Sequence, residues 1–134
     1  VKATVPELFR LIRDRGATLI PLLGKVKLRR CKVADAEHEG NSRQYMHYAH
    51  HKRTVCYAAA TEELSLEWKV GLIAHELGHA AAEFTGFWHK HSEPDANRLG
   101  SAILGGVVNF RGPKRLEWAT APAWLKKSLR GGSQ

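Results

Sequence analysis

The sequence predicts a small α+β domain, and three observations predict it. Apolar residues recur at helical spacing in Val5–Arg15, in the run up to Phe84 and after Ser92. Short strand-like runs lie between them, at Lys25–Val33 and Thr54–Ala58. Nothing repeats, and no composition shift divides the 134 residues. A single domain over 1–134 of that length buries roughly two-thirds of its unfolded surface. The expected sheet has three or four strands, mostly antiparallel, with one long helix crossing beneath it and another behind.

The elements follow in order. Leu8, Leu11 and Ile12 line one side of a first helix, Val5–Arg15, which Gly16 ends. Ala17–Leu23 is apolar and reads as a strand, and Lys25–Val33 as a second. Ala34–Ser42, with Gly40-Asn41, is loop. Arg43–Arg53 suits either strand or irregular chain, and Thr54–Ala58 suits strand. Thr61-Glu-Glu-Leu-Ser65 has the composition of a cap for a helix from Ser65 to about Phe84, and Gly86 is its stop. Ser92 caps the next helix, with Pro94 in its first turn and Leu99, Ala102, Ile103 and Val107 on its apolar face; Gly105-Gly106 ends or bends it. A short helix, Pro122–Leu129, turns Trp124 and Leu125 inward, and residues 131–134 fray.

Composition narrows the classes. No apolar run approaches the roughly 20 residues that cross a bilayer, and the N-terminus lacks a secretory apolar segment, which points to the cytoplasm. The chain opens on Val1 without Met, as it would after removal of preceding residues. Two cysteines, Cys31 and Cys56, are too few for a disulfide scaffold and read as reduced core residues. Twenty-one Lys and Arg against 13 Asp and Glu leave a net charge of +8, which favours nucleic acid or an acidic partner in a general way. Lys25, Lys27, Arg29, Arg30 and Lys32 concentrate that charge. Without interleaved aromatics the segment reads first as a solvated strand face and second as a nucleic-acid groove. His47, His50 and His51 likewise read as surface histidines rather than a second metal site, since no carboxylate stands at ligand spacing.

The chemistry concentrates in His75-Glu76-Leu77-Gly78-His79. Histidines four apart on a helix stack on one face, where both rings reach one metal ion. Glu76, turned about 100° from His75, stands beside that ion as a base for water. Zinc peptidases carry this HExxH arrangement. One zinc ion needs a third protein ligand and an open position. Metzincins place a third His six residues on, where this chain has Thr85, so that class is excluded. Glu93 is one remaining ligand, with Asn97 a turn later to hold a histidine ring by hydrogen bonding; His89, His91 and Asp95 are the others.

With Ser65-Leu-Glu-Trp68, Ile73-Ala-His-Glu-Leu-Gly-His79 and Glu93-Pro-Asp-Ala-Asn97, residues 54 to about 104 resemble the ImmA/IrrE-type metallopeptidases among the gluzincins. The resemblance implies a small zincin fold, with His75, His79 and Glu93 as zinc ligands and Glu76 as the catalytic base. It implies hydrolysis of a peptide or protein substrate. In zincins the strand before the metal-site helix carries extended substrate on its edge, which here means Thr54, Val55, Cys56, Tyr57 and Ala58. The oxyanion donor is open among Tyr45, Tyr48, His89 and Arg98. A second resemblance, to SprT-like proteases acting on DNA-bound proteins, implies a third His ligand such as His91 and gives the +8 charge a role. A regulatory zinc-binding module of the same fold with little turnover is the non-enzymatic alternative.

Overall fold

A computed structural model describes residues 3–31, 45–49, 52–86, 92–105, 110–111 and 115–132. Among these, four helices accompany a three-stranded sheet, so the chain is α+β. Helix α1 is Val5–Ala17, and Thr4 and Glu7 close a reciprocal capping box at its start. Gly16 does not end it: Gly16 is buried against Ile103 and Leu23. The strand expected at Ala17–Leu23 does not form, and Pro21–Lys25 is a 3-10 turn instead. Pro21 has no N–H to give a sheet ladder and its fixed φ starts the turn.

Strands β1 (Lys27–Arg30), β2 (Met46–Ala49) and β3 (Thr54–Tyr57) follow. Their order is β1-β3-β2, with β1 parallel and β2 antiparallel to β3. The sheet is therefore mixed rather than mostly antiparallel. Register places Leu28, Val55 and Tyr48 in one row and Arg30, Tyr57 and Met46 in the next. Val55, Tyr57, Met46 and Tyr48 join the core from this face. The opposite face carries Arg29, Cys56 and His47 in a row, with Arg29 Nη2 donating to Cys56 Sγ at 2.9 Å. Cys31 and Cys56 are both buried and unbridged. His50, His51 and the loop at Ala34–Ser42 lie outside the described residues.

Helix α2 (Leu66–Phe84) runs through the core, with Val70, Leu72, Ile73, Ala74, Leu77, Ala80, Ala81 and Ala82 fully buried. Full burial contributes about 1.5–3 kcal/mol for each Leu or Ile. Ser65 stands at its N-cap position without a side-chain bond. Lys69, buried inside this apolar run, anchors that end instead: Nζ donates to Ala3 O at 2.9 Å and Glu62 O at 3.4 Å. Glu62 Oε1 in turn accepts the Val5 N–H at 2.9 Å, so the starts of α1 and α2 are tied through one buried cation.

Helix α3 (Glu93–Leu104) opens with Ser92 and Asp95 in a second capping box. It closes at Gly105, whose φ of 86° is left-handed and suits glycine. Strands β4 (Phe110–Arg111) and β5 (Arg115–Leu116) make a separate antiparallel pair. Helix α4 (Ala123–Gly132) buries Leu125, and Trp124 Nε1 donates to Leu104 O at 2.6 Å, pinning α4 to the end of α3. It continues through Gly132, two residues into the segment expected to fray, and 133–134 lie outside the description.

Candidate metal centre

The α2–α3 crossing is made possible by two glycines. A Cβ on Gly78 would sit 2.1 Å from Ala96 O, and one on Gly100 would sit 2.6 Å from Ala74 O. Both clashes are with backbone, which cannot rotate aside, so only glycine lets these helices approach so closely. Ala74 and Gly78 on α2 face Ala96 and Gly100 on α3, each pair four apart and hence on one side of its helix. The same turns carry His75 and His79 on one helix and Glu93 and Asn97 on the other.

His75 Nδ1 lies 2.6 Å from Asn97 Oδ1. Asn97 Oδ1 can only accept, so Nδ1 carries the proton and Nε2 presents a lone pair. That Nε2 lies 3.0 Å from His79 Nε2 and 2.5 Å from Glu93 Oε2, and His79 Nε2 is 3.1 Å from the same oxygen. The rings stand at 83° to each other, edge to face, which aims both Nε2 atoms at one point. Among the described residues, His75, His79 and Glu93 are the one group of three such side chains placed to share a metal ion. Tetrahedral zinc with bonds of about 2.0–2.1 Å separates its ligands by roughly 3.3 Å. The two separations that involve His79, 3.0 and 3.1 Å, come within a few tenths of an ångström of that, and the His75–Glu93 pair, at 2.5 Å, would open by somewhat less than about 1 Å to admit the ion. The centre is graded in depth. His75 is fully buried, His79 is 15 % exposed and the Glu93 side chain is 64 % exposed, so the opening is on the Glu93 side. Glu76, in the same helix turn, is buried.

The remaining sequence-derived residues fall elsewhere. Asp95 is turned to the other side of α3, where it accepts from Ser92 N and Oγ and pairs with Arg98 Nη2 at 2.9 Å. Arg98 is 78 % exposed in that pair, and the helical rotation that sends Asp95 outward sends Arg98 with it, away from the triad. Tyr45 holds the start of β2 through its backbone oxygen, which accepts from Thr61 Oγ1 at 2.7 Å, and its side chain packs on the core. Tyr48 reaches from β2 toward the end of α2. Burial, and then the Glu83 carboxylate beside it, push its phenol well above the ordinary value. His89 and His91 lie outside the described residues.

One expectation is overturned. Thr54–Tyr57 is the central strand, hydrogen-bonded to β1 on one side and β2 on the other, so it has no edge to offer a substrate. Among the described residues, the edge strand packed along α2 is β2. Sequence reasoning also passed over Gly78 and Gly100, although Ala74-x3-Gly78 and Ala96-x3-Gly100 repeat the same spacing, and over Lys69, a single charge inside an apolar run.

No helix among the described residues is long and apolar enough to cross a membrane. No family model matches the chain, and no solved structure matches it. Among curated proteins, the chain is 40 % identical over 48 residues to the bone morphogenetic protein 1 homolog of Strongylocentrotus purpuratus. That match takes in 32 % of this chain and 7 % of the relative, so it spans a small fraction of the relative's length.

Proposed function

We propose that the protein is a zinc-dependent metallopeptidase of the gluzincin type, close in plan to the ImmA/IrrE-type enzymes. The observation that carries the reading is the convergence of His75 Nε2, His79 Nε2 and Glu93 Oε2 within 3.1 Å, with Asn97 holding the His75 tautomer. His75, His79 and Glu93 hold the ion. Zinc, when bound, supplies Lewis-acid polarisation of a carbonyl and brings the pKa of water toward about 7. Glu76 is the base that accepts a proton from the attacking water and passes it to the leaving amine. Its burial excludes bulk water from the proton it holds. An extended peptide adds to β2, the edge strand beside α2, through main-chain hydrogen bonds. Tyr48, kept protonated, is the remaining phenol on that strand.

The position of Glu93 supports the gluzincin plan over the SprT-like one, in which a His between the two helices binds metal. Zinc content and turnover of a mixed peptide pool, measured together, test the reading. Glu93→Gln is expected to lose zinc. Glu76→Gln is expected to keep it and lose about 10²–10⁴-fold in rate. Full zinc in Glu93→Gln, or undiminished turnover in Glu76→Gln, overturns the assignment. The exposed cations Lys27, Arg29 and Arg30 on β1 support a separate polyanion contact, which salt-dependent retention on DNA would register.

A further inference from the structure

Along α2 from Lys69 to Phe84, burial is nearly continuous. Lys69–Gly78 and Ala80–Ala82 are buried, and only His79, Glu83 and Phe84 remain partly open. His79 and Glu83 are four apart, share a face and are both partly exposed. Tyr48 of β2 lies beside the Glu83 carboxylate. Glu83 also sits at the negative end of a 19-residue helix whose last turn has no basic residue, an electrostatically unfavourable place for an acid. The two negative contributions add at this end of the helix, one turn beyond His79. Arg53, whose guanidinium lies over the Phe84 ring at 5.7 Å, is a resident cation at this end.

We infer that Glu83 selects a cationic side chain, Lys or Arg, in an extended peptide lying between β2 and the triad. The inference rests on the peptidase reading for its cleft. The chain's net charge of +8 works against it, because the average field favours acidic peptides. Any preference for basic peptides therefore has to come from a local carboxylate, which makes the test sharp. If Glu83 serves only to latch β2 to the helix end through Tyr48 and Arg53, its loss weakens every peptide alike.

The experiment uses labelled peptides identical except for Lys, Gln or Glu at each position in turn. Binding is read by fluorescence anisotropy on zinc-loaded Glu76→Gln protein, and cleavage is read on wild type. Lys peptides at one position are expected to bind about fivefold tighter than Gln peptides, the upper end for a partly exposed ion pair. Glu83→Gln should erase that preference without weakening the Gln peptide, Glu83→Lys should turn it toward Glu, and Arg53→Gln should strengthen it. The inference is overturned if the preference survives Glu83→Gln, if wild type favours acidic peptides, if no peptide binds, or if Glu83→Gln weakens all three alike. Charge-selective binding without cleavage would sink the peptidase reading and leave the role of Glu83 standing. Cleavage without a basic preference would do the reverse.

Discussion

The α2–α3 crossing and the outer strand β1 handle charge in opposite ways. At the crossing, two imidazoles, Glu76 and Asn97 are brought into or beside the core, and Gly78 and Gly100 set how closely the helices approach. On β1, Lys27, Arg29 and Arg30 stand exposed, and only Leu28 is partly covered. Charged groups are desolvated only where they have one another, or a cation, to meet; elsewhere water solvates them. The excess positive charge therefore belongs to the surface, whereas the proposed chemistry depends on two histidines and two glutamates whose helices are brought together by glycines that carry no charge at all. Substitutions should expose that asymmetry, large at the crossing and small on the strand.

The largest effect on stability is expected at Gly78. Gly78→Ala places a methyl 2.1 Å from a backbone oxygen, and the helices have to part to admit it. Overpacking of this kind costs about 1–3 kcal/mol, with rigid backbone clashes at or beyond the upper figure. A urea titration should show the loss, and zinc affinity should fall with it because Glu93 moves away with α3. Gly100→Ala, with its contact at 2.6 Å, should behave similarly and more mildly. Unchanged stability and zinc binding in both would mean that the close crossing is dispensable.

Asn97→Ala comes next. The substitution leaves Gly78 and Gly100 untouched and removes the partner of His75 Nδ1. Without it the imidazole is free to change tautomer and to rotate, and zinc affinity should drop about 10- to 100-fold with the fold intact. Competition against a chelator measures this directly. Equal affinity in Asn97→Ala would show that packing alone orients the buried ring.

How much of this was readable beforehand depended on whether the deciding physics was local. The His75–His79 pair and Glu93-x3-Asn97 were legible because helical pitch alone puts residues four apart on one face. Ser92 as a cap and Gly105 as a stop were legible for the same kind of reason, since each answers to hydrogen bonds within one turn. Strand order was not legible: whether Thr54–Tyr57 is central or at an edge depends on where β1 pairs, a contact between distant residues that periodicity does not encode. Ala17–Leu23 misled because apolar content suggested a strand, while Pro21 decided the backbone. Gly78 and Gly100 were overlooked because glycine inside a helix usually registers as weak propensity, and its meaning here appears only once a second helix lies against it.

The smallest expected effect lies on β1 and completes the contrast. Lys27→Gln with Arg30→Gln removes two charges whose side chains lie in water, leaving Leu28 and the β1–β3 register in place. Surface substitutions away from caps and networks change stability by about 0.5 kcal/mol or less. Arg29 is left intact in this variant because Arg29 Nη2 donates to the buried Cys56 Sγ. The urea midpoint and zinc affinity should therefore stay at the wild-type values, while retention on a polyanion column falls and elutes at lower salt. A loss of zinc in this double variant would break the comparison, because it would mean that charge on the far strand reaches the helix crossing. Unchanged retention would instead place the working part of the +8 charge elsewhere on the surface and leave β1 as a strand whose charges serve to keep its edge in solution.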